Sequence, residues 1–368
     1  MPIPLDEFPV HQAPLSLRYP LTSDRNFYDR CYFNAHDRTG DVFLITGLGV
    51  YPNLGVIDAY ATIGRGTRYV TVRMSDALHD DRLVQQVGPY RIDVLEPLHR
   101  IRLVCEADAH GVGFDLTWEG SFPAVEEPRH IQHTGTKVIL DACRFAQVGT
   151  WEGVLRVEGR EYAVTPDRWV GTRDRSWGIR PVGEAEPPGR WATEPMEGFW
   201  WTYVPLRFDD FAVIVIMQED ADGRRFLNEA VRVRPEASGR PEQLGWPLID
   251  IDYRSGTRHP EHATIHLVGR DRRPFTIEVD TLASVALNAS SGYGGGDWVH
   301  GMWKGRDWVE GVVRDLTDPD VAARAPFGVT DHVARATCGG TEGWGLFEHG
   351  TFGRHDPSGF TDWSSLAP

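Results

Sequence analysis

A chain of 368 residues is longer than one hydrophobic core usually serves, so we expect two domains, with one very large β domain as the alternative. The formal net charge of −15 leaves no excess of basic residues for a polyanion, which makes DNA, RNA and anionic membrane surfaces poor partners. The sequence shows neither a basic leader before an apolar segment nor an apolar run long enough to cross a bilayer, so we expect a cytoplasmic protein without a membrane span.

Side chains suited to metal or covalent chemistry are scarce. Lysine occurs only at positions 137 and 304, which leaves few candidates for Schiff-base chemistry. The four cysteines are far apart and form no CxxC motif, so we expect neither a zinc ribbon nor a disulfide framework, and we predict no metal site. The 13 Trp, 16 Phe and 11 Tyr suit either the packing of two β layers or the lining of a pocket for an apolar ligand.

Short runs rich in Val, Ile, Thr and aromatic residues predict β-strands along most of the chain. In chain order these runs cover residues 69–74, 100–108, 113–122, 154–164, 211–220, 229–235, 263–269 and 275–288. Several of them alternate with a period of two, as half-buried antiparallel strands do. We therefore predict an all-β protein of antiparallel barrels, because closed barrels leave no exposed strand edges.

Helices are predicted to be few and short. Residues 75–87 are the best candidate because they begin with a Ser-Asp pair suited to an N-cap, although their apolar periodicity is weak. Residues 318–328 form a second candidate, which Pro326 interrupts. So little helix argues against an open, doubly wound α/β fold.

A domain junction is predicted in residues 181–198. This segment contains prolines and glycines interleaved with glutamates, and it separates two strand-rich stretches of comparable length. We place an N-terminal barrel at residues 1–185 and a C-terminal barrel at residues 186–368. Duplication of one barrel remains a hypothesis, because no repeat aligns the two halves residue by residue.

The densest cluster of charged and aromatic residues is GTRDRSWGIRP (171–181). Asp174 lies in it between Arg173 and Arg175, so the pKa of this carboxyl should depend strongly on burial and on the two cations. Two roles are open for Asp174. It transfers a proton in a pocket, or it belongs to an ion-pair network that joins the two halves.

Four segments resemble the AttH and carotenoid 1,2-hydratase superfamily, which also includes kievitone-hydratase-like enzymes and Diels–Alderase-type cyclases. They are NFYDRCYFNAHD (26–37), GFDLTWEGSFPAVEEPRH (113–130), RDRSWGIRP (173–181) and DHVARATCGGTEGWGLFEHG (331–350). The resemblance spans nearly the whole chain, and its most specific motif is D-x-x-W-G at residues 174–178. It implies two tandem lipocalin-like barrels, an isoprenoid, polyketide or steroid-like ligand, and acid chemistry without a cofactor.

The resemblance also assigns roles within the motif. Asp174 would protonate an alkene, with Trp177 as its aromatic neighbour. Arg175 departs from the family pattern, in which an uncharged residue or a histidine often stands, and its charge would hold Asp174 ionised. We predict a cofactor-independent hydratase or dehydratase of a hydrophobic alkene or alcohol. The alternatives are an isomerase or cyclase of a hydrophobic natural product, and a protein that only binds a lipophile.

Three further segments contribute candidate residues. The segment FWWTYVPL (199–206) is a predicted strand, of which one face lines a cavity or both faces belong to the core. The glycine-rich segment 290–308 could cover the mouth of a pocket. In the C-terminal block, Asp331 or His332, and Glu348 or His349, could face inward, because adjacent residues of a strand point to opposite faces.

The complete predicted site consists of catalytic and substrate-binding residues for a hydrophobic small molecule. The predicted catalytic residues are Asp174, Trp177, Tyr293 and His332, and the predicted substrate-binding residues are Tyr51, Trp200, Trp201, Tyr203, Trp298, Trp303 and Glu348. The oligomeric state stays open, with a homodimer as one possibility.

Overall fold

Two curled antiparallel sheets account for most of the protein. A computed structural model describes residues 2–187, 196–235, 240–294 and 296–368. The sheets have 14 and nine strands, and they form two tandem lipocalin-like barrels. The predicted all-β class is therefore confirmed.

The first sheet contains the first 13 strands of the chain. They are β1 (Phe27–His36), β2 (Phe43–Tyr51), β3 (Val56–Arg65), β4 (Arg68–Ala77), β5 (Gln86–Val87), β6 (Tyr90–Glu96), β7 (Arg100–Ala107), β8 (Val112–Gly120), β9 (Val125–Glu126), β10 (His130–Thr134), β11 (Lys137–Val157), β12 (Arg160–Val164) and β13 (Val170–Ile179). Along the sheet, β1 lies between β2 and β13, and β13 lies between β1 and β11. The long strand β11 also pairs with β8, β9, β10 and β12.

The second sheet is built from the C-terminal half. Its strands are β14 (Gly198–Arg207), β15 (Ala212–Asp220), β16 (Arg225–Val233), β17 (Glu242–Gln243), β18 (Leu248–Tyr253), β19 (Pro260–Val268), β20 (Pro274–Ala286), β22 (Thr330–Cys338) and β23 (Thr341–Gly353). One strand of this half, β21 (Trp308–Asp315), pairs instead with β4 at the edge of the first sheet. The predicted boundary at residues 185 and 186 stays a prediction, and residues 188–195 of the predicted junction lie outside the described residues.

The few helices are short. Among the described residues, the α-helices are α1 (Leu287–Ser290) and α2 (Pro319–Ala322), and the 3-10 turns are Pro4–Glu7, Asp108–His110, Ala325–Phe327 and Asp356–Ser358. The helix predicted at residues 75–87 is wrong, because this segment begins in β4 and ends in β5 with a turn between them. In the segment 318–328, the Asp318 side chain caps α2 by accepting a hydrogen bond from the backbone N–H of Asp320.

The interior of the first barrel is apolar and tightly packed. Trp118 and Trp151 are fully buried in it with their ring centroids 5.1 Å apart, and Phe33 meets Trp151 edge-on at 5.9 Å. Cys31, Phe33 and Ala35 of β1 belong to this core. The intervening Tyr32 points to the other face, where it joins a cluster that contains residues of both sheets. Both faces of β1 are therefore buried.

A glycine sets the close packing of β13. Gly178 has a φ of 138°, and a Cβ atom at this position would lie 2.1 Å from the backbone oxygen of Asp141 on β11. No L-amino acid with a side chain fits that space. This requirement explains the glycine of the D-x-x-W-G motif as a packing residue.

Candidate active site between the two sheets

A cavity of about 180 Å³ lies where the two sheets meet. Its lining combines apolar, acidic and basic side chains from β1, β10, β11, β13, β14, β15, β23 and α1. The lining residues are Arg30, Cys31, Tyr32, His130, Gln132, Leu140, Arg144, Asp174, Ser176, Arg180, Phe199, Trp201, Gln218, Leu287, Tyr293, Val329 and Glu348. We call this space the inner cavity.

Asp174 reaches the inner cavity from the middle of β13. It stands opposite Tyr32 of β1 and Ala146 of β11 in the strand register, so its side chain points to the same face as Tyr32. Burial raises the pKa of Asp174 to about 6, an effect that the charge of Arg144 opposes and the charge of Glu348 reinforces. Within the described part of the chain, electrostatic contacts rather than hydrogen bonds surround this carboxyl group. It is therefore available to a ligand.

A pair of buried carboxyl groups lies beside Asp174. Asp331 of β22 and Glu348 of β23 are opposite each other in register. The Tyr32 hydroxyl donates a hydrogen bond to Asp331, and the Trp201 indole N–H donates to Oε1 of Glu348 at 2.5 Å. Burial and the neighbouring Glu348 charge raise the pKa of Asp331 well above its usual range, so Asp331 is the protonated member of the pair.

Arg144 of β11 is the central cation of the site. Its Nε lies 3.3 Å from Oε2 of Glu127, and its guanidinium lies 5.5 Å from the Trp201 ring centroid and 5.6 Å from that of Tyr203. Burial nevertheless raises the pKa of Glu127 to about 7, with Arg144 opposing the shift and Asp174 adding to it. The site thus holds several carboxyl groups whose protonation depends on one another.

An aromatic wall borders the inner cavity on the side of the second sheet. Trp201 stacks between His130, at a centroid distance of 6.1 Å, and Phe199, at 6.5 Å. Burial lowers the pKa of His130 to about 4, with Arg144 adding to the effect, so the imidazole is neutral at physiological pH. The wall therefore offers an uncharged aromatic surface to a bound molecule.

A second, larger space of about 520 Å³ adjoins the inner cavity, and we call it the outer chamber. Both spaces are lined by Arg30, Arg180 and Tyr293, which therefore stand at their boundary. Nη2 of Arg30 donates a hydrogen bond to the Tyr293 hydroxyl at 2.6 Å. Gly292 and Gly294 of the glycine-rich segment also line the outer chamber. This places part of the segment at the outer chamber.

The structure brings part of the predicted site together. Asp174, Trp201, Tyr293 and Glu348 all line the inner cavity. Tyr203 lies directly behind it against Arg144. Two pairs of alternatives were predicted in the C-terminal block. Asp331 and Glu348 belong to this cluster, whereas His332 and His349 do not.

The other predicted site residues lie elsewhere. Trp177 is 36% exposed on the opposite face of β13 from Asp174. Trp200 packs in the core of the second barrel, where its Nε1 donates to the Tyr253 hydroxyl at 3.3 Å. His332 is buried with its Nδ1 3.0 Å from the backbone oxygen of Phe347.

Three aromatic candidates are also separate from the inner cavity. The Tyr51 hydroxyl donates to Oδ1 of Asp58 at 3.1 Å in a small buried cluster. Trp298 is buried beside Trp308, and Trp303 is 46% exposed. These positions give packing roles to Tyr51 and Trp298, while Trp303 faces solvent.

Arg175 does not hold Asp174 ionised in the way the sequence suggested. Its side chain points to the opposite face of β13, where Nε lies 3.0 Å from Oδ1 of Asp29 and Nη1 donates to Gln85 at 3.0 Å. The cations that lower the pKa of Asp174 are instead Arg144, Arg30 and Arg180. The expectation was wrong because sequence neighbours on a strand point to opposite faces.

Sequence reasoning missed Arg30, Tyr32, Glu127 and Arg144 as site residues. Arg30 and Tyr32 lie in the segment 26–37, whose resemblance to the superfamily was a usable signal. Arg144 lies in the middle of the 21-residue strand β11, where no motif marks it. The position of Arg144 in the site follows from the pairing of β11 with β13, which are distant in sequence.

No described group of three or more His, Cys, Asp or Glu side chains is arranged to hold a metal ion. His262 and His266 lie on β19. His262 contacts Asp280 at 2.9 Å, and His266 contacts Asp250 at 2.9 Å. His262 also contacts Glu278 at 3.1 Å, so both histidines are engaged with carboxylates on the sheet surface.

Comparison with known proteins identifies the family and supports the fold. Residues 3–361 match the model of a family of unknown function, DUF8625. The chain belongs to this family. No curated protein sequence matches the DUF8625 chain. None of the helices in its described ranges has the length and apolarity to cross a bilayer.

Solved structures similar to the DUF8625 chain share its architecture at low sequence identity. Kievitone hydratase from Nectria haematococca is 14% identical with a TM-score of 0.50, covering 87% of this chain and 88% of its own. An AttH-like protein from Nitrosomonas europaea is 14% identical with a TM-score of 0.52, covering 88% and 92%. CghA is 12% identical with a TM-score of 0.51, covering 90% and 89%. The resemblance to the AttH-like superfamily is thus confirmed at the level of the fold.

Proposed function

We propose that the inner cavity binds a hydrophobic alkene or alcohol and that Asp174 transfers the proton in its hydration or dehydration, without a cofactor. One observation carries this proposal. Asp174 places a carboxyl group with a pKa of about 6 in a cavity between the sheets, free of hydrogen bonds from described residues. A group with such a pKa exists in both protonation states near neutral pH, as acid–base catalysis requires.

The reaction balances with the groups present. In hydration, protonated Asp174 gives its proton to one alkene carbon, and the electron pair of the double bond forms the new C–H bond. Water adds its oxygen to the resulting carbocation and releases a proton to a carboxylate, either Asp174 or the neighbouring Glu348. Dehydration is the reverse sequence.

The aromatic wall suits such an intermediate. Trp201 and Phe199 line the same cavity as Asp174, and an aromatic ring stabilises a cation that reaches its face by about 0.5–2 kcal/mol. Leu140, Leu287 and Val329 add apolar surface. An isoprenoid-like skeleton fits this lining, and the shared fold with kievitone hydratase supports hydration as the reaction type.

The experiment is an assay of Asp174→Asn with linalool, an isoprenoid tertiary alcohol, and with its dehydration product myrcene. Turnover should fall by about 10²–10⁴-fold, since general acid–base catalysis contributes that factor. Melting temperature and binding of linalool should stay close to those of the wild type. Asp115→Asn is the matched control, because Asp115 is on the outer surface and pairs with Arg102. A wild-type rate for Asp174→Asn would remove the aspartate from the mechanism.

A cyclase or isomerase is the second candidate, supported by the similarity to CghA, a Diels–Alderase. A pericyclic reaction needs shape and a few hydrogen-bond donors, so it would tolerate Asp174→Asn. Mass spectrometry separates the candidates, because hydration adds the mass of one water and isomerisation adds none. A protein that only binds a lipophile would form no product at any pH.

A further inference from the structure

The boundary between the inner cavity and the outer chamber contains two arginines with few partners. Arg30 is only 7% exposed, yet its guanidinium makes one hydrogen bond among the described residues, to the Tyr293 hydroxyl. A guanidinium has five N–H donors. Arg180 contacts the Tyr28 ring at 5.7 Å and pairs with no carboxylate in the described ranges. Arg144, by contrast, is already paired with Glu127.

Asp58 and Asp174 interact with the Arg30 charge electrostatically, but among the described residues neither accepts a hydrogen bond from its guanidinium. Buried N–H groups without hydrogen-bond partners are costly, and guanidinium donors match the planar fork of a carboxylate. Tyr293 holds Arg30 in place, because the guanidinium also lies 4.9 Å from the Tyr293 ring centroid. We infer that Arg30 and Arg180 bind an acid group of the ligand, so that the substrate class is an apolar acid, a carboxylate or phosphate on a hydrophobic skeleton.

This arrangement orients the ligand. The acid group would lie at the boundary, toward the outer chamber, and the apolar skeleton would extend into the inner cavity beside Trp201 and Asp174. An anion held there also favours the protonated form of Asp174, because it offsets the charges of Arg30 and Arg180 that oppose protonation. This last consequence rests on the proposed function, whereas the binding of the acid group does not.

The test compares binding of matched ligands that differ only in the head group. Hexanoic to dodecanoic acids, the corresponding primary alcohols and the corresponding alkyl phosphates are titrated by calorimetry and by tryptophan fluorescence. The best acid should bind about tenfold or more tightly than its alcohol, since hydrogen bonds to charged groups are worth about that factor. The phosphate arm shows which acid group is preferred.

Arg180→Gln should lose most of the preference for the acid, and Arg30→Gln should do the same if it folds. Arg180 is the primary variant because its side chain forms no ion pair with any residue that the structure describes. Arg102→Gln is the control, since it removes one charge from the outer surface. The inference is overturned if no acid binds more tightly than its alcohol, or if Arg180→Gln keeps the full preference. Neither result depends on turnover, so failure of the hydratase proposal would be seen separately with Asp174→Asn.

Discussion

The interior of the first barrel and the space between the two sheets differ in what fills them. The barrel interior contains tightly packed apolar side chains, with Trp118 and Trp151 at its centre. The space between the sheets contains carboxyl groups, arginines and a cavity. The same strands border both regions, because β1 and β13 present one face to each.

This difference shows where chemistry is possible in the fold. A packed apolar core adds stability and leaves no room for a ligand. The contact between the sheets contains charged groups that weaken packing, and burial moves their pKa values toward neutrality. If stability and chemistry are separated in this way, changes in the two regions should have different effects.

The largest effect is expected from Trp118→Ala. This residue has no exposed surface, so its truncation should lower the free energy of unfolding by about 3–5 kcal/mol. Chemical denaturation followed by circular dichroism measures the change. The folded fraction should still bind the ligand, since Trp118 does not line the inner cavity. Loss of binding by fully folded protein would show that the two regions are not separate.

Glu127→Gln should change how stability depends on pH. The pKa of Glu127 rises from 4.5 to about 7 on folding, so the folded state binds this proton more tightly. Its contribution to stability is therefore present at low pH and is lost as the pH rises from about 4.5 through 7, by about 3 kcal/mol in total. Unfolding curves between these pH values should show the wild type losing stability relative to the variant.

The comparison with the variant is needed because buried histidines act in the opposite direction. His130 and His300, whose pKa values are lowered to about 4, contribute stability that increases as the pH rises toward 6.5. Both proteins contain these histidines, so their effect cancels in the difference. A pH-independent difference between the two proteins would contradict the assignment to Glu127.

Arg144→Gln should move the pH dependence of turnover. If Asp174 acts as the acid in hydration, the rate falls as the pH rises through about 6. Arg144 lowers the pKa of Asp174, so its removal should shift the falling limb to higher pH by about one unit or more. Arg175→Gln on the other face of β13 should leave the limb in place. An equal shift in both variants would argue for a general charge effect.

The smallest effect is expected from Trp177→Ala. Its side chain is 36% exposed and lies outside the inner cavity, so the free energy of unfolding should change by about 1 kcal/mol or less and ligand binding should not change. Trp201→Ala is the matched change on the aromatic wall and should weaken binding clearly. Fluorescence titration of both variants measures this contrast. Equal weakening by the two changes would place Trp177 in the site after all.

Much of the fold could be predicted from the sequence because strands have short, local signals. Alternation and turn residues located β4, β7, β8, β15 and β19 to within a few residues. The segment 154–164 was less clear, since it is a hairpin of β11 and β12 rather than one strand. The false helix at residues 75–87 arose from a capping signal without supporting periodicity.

The side-chain arrangement of the site could be predicted only in part. Asp174 was found because a motif surrounds it, and Trp201 because it belongs to a dense aromatic run. The sequence did not show whether Trp200 or Trp201 lines the cavity. Both faces of β14 are buried, so this strand lacks the apolar–polar alternation that would distinguish them. Arg144 lies outside the four resembling segments, and Glu127 lies in the segment 113–130 without a motif that marks it. The roles of both residues depend on pairing between strands distant in sequence.

The pairing of β21 with β4 of the first sheet limits how the two halves of the protein can be exchanged by recombination. This strand comes from the C-terminal half and covers the edge of β4 in the first sheet through eight residue pairs, from Trp308 and Ser75 to Asp315 and Arg68. A fragment that stops before Trp308 would leave that edge open to other chains. Recombination between relatives is therefore expected to exchange the two barrels together, as a single heritable unit.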